Sequence, residues 1–295
     1  MKPTILIQLD ADPQPSVFDA VVAVDSGVAH LFRHGGVKPE DVRSLVHGAL
    51  FTRGHADLKN TAIFVGGSDA RAAEAIVEAV RETFFGPFRV SVLFDANGCN
   101  TTAAAAVLAA VDGAEKTRGS IDGATVAVLA ATGPVGQRVA RLFLGMKSVA
   151  VRVGSRRLDK AQATASLLKG DDGRGATPFA TADPDDLAKG IEGADVIVAA
   201  GAAGVTLLPR ALWELSGAKV LVDLNAVPPA GIEGVDATDR GKEQSGVLTW
   251  GALGVGGTKM KIHKKAIQEL FTSNDKRIDA EECLAIGRSL GLIPS

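Results

Sequence analysis

The segment Ala124-Thr-Val-Ala-Val-Leu-Ala130 runs without a break into Ala131-Thr-Gly-Pro-Val-Gly136. An apolar strand that turns on glycines directly into a helix is the context of a dinucleotide-binding turn. At its second glycine position, Gly133, the backbone can approach a pyrophosphate. At its third, Gly136, the helix can pack close on the strand. Pro134 suits the first helical position. The helix N-terminus then offers free N–H groups and the positive end of a dipole to phosphate. Ala131 occupies the usual first glycine position.

The rest of the chain repeats the alternation of strand and helix. Strands are expected at 4–9, 61–65, 89–94, 124–130, 148–153, 177–180, 195–200 and 220–223. Helices are expected at 17–24, 70–84, 134–145, 157–168, 184–192 and 280–290. An alanine-rich helix follows Asn100-Thr101-Thr102, and a basic helix begins near Thr258. Such alternation implies parallel sheets with right-handed crossovers. The expected architecture is two α/β domains with a cleft between them, the second a Rossmann-type doubly wound parallel sheet. Polar, glycine-bearing sequence around 112–122 places the boundary near residue 115. The first domain is then 1–115, the second 116–277, and the helical segment 278–295 packs back on the first.

Composition removes several function classes. Lys plus Arg number 32 and Asp plus Glu 34, a net charge of −2 that offers no broad surface for nucleic acid or anionic membranes. The longest apolar run, Ala103 to Val111, is far short of a membrane span. The first residues lack the apolar core and cleavage site of a secretory leader. The two cysteines, Cys99 and Cys283, have no paired spacing, so a disulfide framework is not expected and a reducing cytoplasm is the natural home. There is no tyrosine, which excludes every mechanism with a tyrosine acid. His30 and His34 have the spacing of a helical metal pair, but no third ligand is near and no metal site is expected.

The strand after the glycine turn ends in Gly154-Ser155-Arg156-Arg157. An NAD site usually carries a carboxylate there for the ribose 2′-hydroxyl. Two arginines and a serine suit a 2′-phosphate instead, so NADP is the expected cofactor. Thr132, Gly133, Pro134, Val135 and Gly136 form the phosphate turn. Three later loops fall at strand carboxyl ends, where open α/β sheets bind ligands. They supply Ala200 and Gly201, Asn225, and Gly254 as further cofactor contacts. In the first domain, Asp95-Ala-Asn-Gly-Cys-Asn-Thr-Thr102 is dense in donors and acceptors, although a helix cap needs only one of them. Lys259 and His263 lie one turn apart on the basic helix.

Further strings mark a resemblance that runs from the first strand to the last helix. They are Pro15-Ser-Val-Phe-Asp19, Thr61-Ala-Ile-Phe-Val-Gly-Gly67, Phe85-Gly-Pro-Phe-Arg-Val-Ser91, Asn100-Thr-Thr-Ala-Ala-Ala105, Thr132-Gly-Pro-Val-Gly136, Leu158-Asp-Lys-Ala-Gln162, Asp236-Ala-Thr-Asp239 and Gly251-Ala-Leu-Gly254. The chain resembles the NADP-dependent methylene-tetrahydromethanopterin dehydrogenases of bacterial one-carbon metabolism, and more distantly the folate methylene dehydrogenases. The resemblance implies hydride transfer from the methylene bridge of a reduced pterin to NADP, with some members accepting methylene-tetrahydrofolate. It implies a cytoplasmic homo-oligomer, dimer or trimer, serving methylotrophy. It places Lys259 at the catalytic centre; His263, one turn further along the same helix face, is the second catalytic candidate, and Phe18, Asn97 and Thr102 are the candidate pterin contacts. Ala131 departs from the family's glycine, and Ser155-Arg156-Arg157 from a Gly-Arg-Lys-like turn. Two other readings are an NADP-linked shikimate-type dehydrogenase, which would want a Lys–Asp pair near Lys38 or Lys59, and a non-enzymatic NADP-binding redox sensor.

Overall fold

A computed structural model describes residues 2–170 and 172–292. In chain order the first elements are β1 (Ile5–Asp10), α1 (Val17–Asp25), β2 (His30–His34), α2 (Pro39–Phe51), β3 (Thr61–Gly66), α3 (Ala70–Thr83), β4 (Ser91–Phe94) and α4 (Cys99–Arg118). Then come β5 (Thr125–Leu129), α5 (Pro134–Leu144), β6 (Ala150–Ser155), α6 (Leu158–Leu167), β7 (Thr177–Ala180), α7 (Pro184–Ile191), β8 (Val196–Ala199), α8 (Arg210–Ser216) and β9 (Val220–Asp223). A hairpin, β10 (Arg240–Gln244) and β11 (Val247–Trp250), leads into α9 (Ala252–Glu269), β12 (Arg277–Ile278) and α10 (Ala280–Ser289). None of the helices among the described residues is long and apolar enough to cross a membrane.

The chain divides into two compact units. The first takes the chain up to Thr101 together with Met260–Ile286; the second takes Thr102–Lys259 and the chain from Gly287 on. This differs from the boundary expected near 115. Residues 112–118, with their glycine and charges, continue α4 rather than breaking it, because Ala103 to Val111 already commits the helix and Lys116–Asp112 pair along it at 2.7 Å. The return to the first unit also comes earlier than 278: β12 lies parallel to β4, with Arg277 opposite Val92 and Ile278 opposite Leu93. Residues 293–295 of the expected terminal segment lie outside the described residues.

The first unit holds a five-stranded parallel sheet in the order β12-β4-β3-β1-β2. β3 is buried along its whole length, which is why it reads as unbroken apolar sequence rather than alternating. One face carries Leu9, Ile63, Val65, Val92 and Phe94 against Val42, Val46 and Leu50 of α2 and Ile76, Val77 and Val80 of α3. Asp69 caps α3 by accepting from the Arg71 and Ala72 N–H groups at 2.9 and 3.3 Å. β2 escaped the sequence reading because an edge strand of His-Leu-Phe-Arg-His is short, exposed and polar. It also changes the meaning of His30 and His34, which stand at opposite ends of a strand, roughly 13 Å apart at the rise of extended chain.

The second unit holds a seven-stranded sheet in the order β10-β11-β9-β8-β5-β6-β7, parallel except for the edge strand β10. Strand order reverses between β5 and β8, the switch point of a Rossmann sheet, where ligands bind outside the carboxyl ends. Leu129, Ile197, Leu221, Ile191, Ile232 and the buried Trp213 form the core of one face.

Candidate active site

The switch point of the second unit is built by backbone. Ala131 N–H donates to the Gly154 carbonyl at 3.0 Å and Gly133 N–H to the Ala130 carbonyl at 3.2 Å, which folds the turn back onto β6. A Cβ on Gly136 would stand 2.8 Å from Ala131 Cα and 2.9 Å from the Ala130 carbonyl oxygen, so helix and turn touch as a third glycine requires. At Gly133 the nearest atom to such a Cβ is 3.7 Å away, leaving its outer side open. Ala131 is buried, with no left-handed backbone. The left-handed residue is Ala130, at φ +54°, so the turn's bend falls one position earlier than the glycine pattern suggests. α5 begins at Pro134 with Gly133 as an N-cap that provides no side chain. The Val135 and Gly136 N–H groups have no acceptor among the described residues. That combination of an open cradle and unsatisfied donors fits a diphosphate.

At the end of β6, Ser155 is buried and Arg156 is exposed, without an ion-pair or hydrogen-bond partner among the described residues. Arg157 is differently placed. Its Nε and Nη2 donate to Asp159 Oδ1 and Oδ2 at 3.0 and 2.6 Å. The sequence treats the two arginines alike, and the structure separates them.

The remaining cofactor candidates are partly taken up by the protein. Ala200 N–H donates to the Leu129 carbonyl at 3.1 Å, tying the β8 loop to the β5 turn. Gly201 leaves room for Leu207, whose Cδ1 would be 2.5 Å from an added Cβ. Asn225 is a loop organiser: Nδ2 donates to the Pro229 carbonyl at 2.8 Å, while Oδ1 accepts from the Val227 and Gly204 N–H groups at 3.0 and 3.4 Å. Below it, Asp223 is buried and accepts from the Asn225 and Ile232 N–H groups, each at 3.0 Å. Burial pushes this carboxyl above the usual carboxylate range, opposed by those backbone donors. Gly254 is not in a loop, because α9 begins at Ala252 rather than near Thr258. A Cβ there would lie 1.9 Å from the Asp239 carbonyl oxygen, so this glycine serves helix packing.

In the first unit, the polar loop after β4 is mostly a helix cap, and Asp95 rather than Asn100 or a threonine provides it. Asp95 is buried and accepts from Asn100 N–H at 2.8 Å, Thr101 N–H at 3.1 Å and Thr101 Oγ1 at 2.6 Å. Asn100 Nδ2 donates to the Phe94 carbonyl at 2.6 Å. What remains is Asn97, exposed with φ +50°, and, as the first residue of the second unit, the half-buried Thr102; neither side chain has a hydrogen-bond partner among the described residues. Asp10, at the carboxyl end of β1, is a further buried acid that the sequence reading missed. It accepts from the Asp12 and Ser16 N–H groups at 3.0 and 3.1 Å and shapes the turn into α1. An acid closing a strand was the available signal. Phe18 on α1 is 49% exposed, as a stacking platform must be.

His263 departs from expectation. Its ring has no accessible surface, stacks on Phe64 at 5.8 Å and 21°, and lies 6.4 Å from the ring of Phe18. A catalytic role calls for an accessible ring, and here the rings of Phe64 and Phe18 flank it instead. The apolar face of β3, carried by Phe64, buries it. Lys259, one turn earlier on α9, is partly exposed. Neither Lys38 nor Lys59, the lysines a shikimate-type site would use, has an ion pair among the described residues.

The chain is 45% identical over 98% of its length, and 100% of the relative's, to a protein of Methylorubrum extorquens named "Bifunctional protein MdtA". It is 33% identical over 93% of its length, and 94% of the relative's, to the NAD(P)-dependent methylenetetrahydromethanopterin dehydrogenase of the same organism. Residues 17–97 match the model of the N-terminal domain of methylene-tetrahydromethanopterin dehydrogenase. The chain belongs to the methylene-tetrahydromethanopterin dehydrogenase family. Solved structures extend the likeness to the fold alone. An NAD-dependent malic enzyme of Thermotoga maritima gives a TM-score of 0.60 at 14% identity, over 98% of this chain and 77% of that one. Shikimate 5-dehydrogenase of Listeria monocytogenes gives 0.53 at 16% identity, over 98% and 96%. The match to the family's N-terminal domain spans both Phe18 and Asn97.

Proposed function

We propose that this chain oxidises the methylene bridge of methylene-tetrahydromethanopterin to the methenyl cation and passes the hydride to NADP, giving NADPH. One observation carries the cofactor half: the uncapped N-terminus of α5 at the β5/β8 switch point, with the unpartnered Arg156 at the end of the neighbouring strand. Family membership carries the pterin half.

The residues suit such chemistry. The carbon between two amine nitrogens gives up hydride readily, because nitrogen lone pairs stabilise the cation left behind. Neither a general acid nor a general base is needed, which agrees with the absence of tyrosine. When bound, NADP supplies the hydride acceptor. The Val135 and Gly136 N–H groups and the helix dipole hold its diphosphate, Gly133 lets it approach, and Arg156 favours its 2′-phosphate. Phe18 offers an aromatic face to a flat pterin, backed by His263 and Phe64. Asn97 and Thr102 retain free hydrogen-bonding capacity for its polar edge. A cation cannot stabilise a cationic product, so Lys259 acts by orienting the pterin through a carbonyl or ring nitrogen. Acceptance of methylene-tetrahydrofolate, a cytoplasmic location, a homo-oligomeric state and a place in methylotrophy belong to the same reading.

The test is growth of the NADPH absorbance band with methylene-tetrahydromethanopterin, and separately with methylene-tetrahydrofolate. Absence of the band with both, in protein that binds NADP, removes the pterin assignment. Lys259→Ala should lower kcat by roughly 100-fold, the scale of a lost orienting contact, with NADP affinity unchanged. Undiminished kcat removes its role.

A further inference from the structure

The two arginines after β6 differ in what already holds them, and the residue responsible is Asp159. Arg157 spends its Nε and one Nη2 proton on that carboxylate, in a two-bond pair at 3.0 and 2.6 Å. Arg156 meets no partner among the described residues. The pair is open to solvent, with 70% of the Arg157 side chain and 58% of the Asp159 side chain exposed. Water screens such a pair, so it holds the guanidinium without locking it. Asp159 stands in the first turn of α6, and Arg157 is that helix's N-cap residue. Any phosphate that reached Arg157 would therefore stand beside a like charge.

We infer that Asp159 sets the cofactor preference of this site by competing with the 2′-phosphate for Arg157. Arg156 is then the dedicated phosphate cation. Arg157 serves only by exchanging partners, and Asp159 tempers the discrimination of NADP from NAD. This rests on the assignment of the turn 154–157 to the 2′-phosphate.

The experiment compares adenosine 2′,5′-bisphosphate with adenosine 5′-monophosphate as calorimetric probes, alongside kcat/KM for NADP and NAD. Asp159→Asn should tighten the bisphosphate about fivefold, the scale of an exposed ion pair, and leave the monophosphate unchanged. The NADP/NAD ratio should rise by the same factor through KM for NADP, and the gain should shrink as salt is raised. Arg157→Ala should weaken the bisphosphate more in the Asp159→Asn background than in the parent. Unchanged or weaker bisphosphate binding by Asp159→Asn overturns the inference. Arg156→Ala separates the two levels. If it leaves the preference for the bisphosphate intact, the 2′-phosphate assignment itself falls. If it abolishes that preference while Asp159→Asn changes nothing, only the role of Asp159 falls.

Discussion

Two loops at strand carboxyl ends teach opposite lessons. The loop 95–102 has by far the more polar sequence, yet its buried groups are consumed internally: Asp95 satisfies two backbone N–H groups and a hydroxyl, and Asn100 satisfies a carbonyl. The turn 130–136 is nearly devoid of polar side chains, yet it leaves backbone donors unsatisfied and a glycine flank open. Ligand capacity follows from the groups a fold leaves unpaired, because a buried or paired donor has already gained what a ligand could offer it. Polar density alone points first to local structure.

The contrast can be broken most decisively at Asp95. Asp95→Ala strands buried donors at the start of α4 and should cost roughly 3 kcal/mol of stability, read as a lowered denaturant midpoint, with cofactor affinity unaffected. A variant of normal stability and weakened substrate binding would mean that the acid belongs to a ligand site after all. At the other loop, Gly133→Ala and Gly136→Ala should part company. The second places its Cβ against backbone and should cost about 1–3 kcal/mol, as overpacking does. The first has room for its Cβ and should keep its Tm while losing NADP affinity in a calorimetric titration. Equal stability losses would show that both glycines serve packing alone. Arg156→Ala comes next, with KM for NADP rising roughly tenfold, the scale of one charge-assisted contact, and KM for NAD nearly constant. The smallest effect is expected at Ala130, whose φ of +54° suits glycine. Relief of left-handed strain against the entropy of glycine should leave Ala130→Gly stabilised by about 0.5 kcal/mol, visible as a slightly raised Tm. A lowered Tm would mean that the methyl group packs usefully.

Much of this was legible in the chain. The strand-turn-helix unit at 124–145 declares itself through apolar continuity, a proline at the first helical position and two glycines, and the observed β5, α5 and β6 follow it. Short-range rules decide such units. The sequence says least where long-range contact decides. β2 is a strand because β1 offers it an edge, not because His-Leu-Phe-Arg-His favours extension. Gly254 read as a loop glycine because its partner, the Asp239 carbonyl, is distant along the helix-to-hairpin path. Asn225 organises its own loop through Val227 and Pro229, two and four residues on, but its tie to Gly204, twenty-one residues earlier, exists only in the folded chain. His263 read as catalytic from its spacing to Lys259, while its burial follows from Phe64, almost two hundred residues earlier.

By itself, then, the sequence determined the alternation of strands and helices, the location of the glycine turn and the cationic character of the β6 loop. These depend on neighbours within a few residues and on periodicity, which a linear chain displays in full. The tertiary structure decided which polar groups remain available. It paired Arg157 with Asp159 and left Arg156 open, turned Asp95 inward, and buried His263 behind Phe18. Availability is what remains after every close neighbour has made its hydrogen bond or contact, and most of those neighbours become close only when the chain has folded.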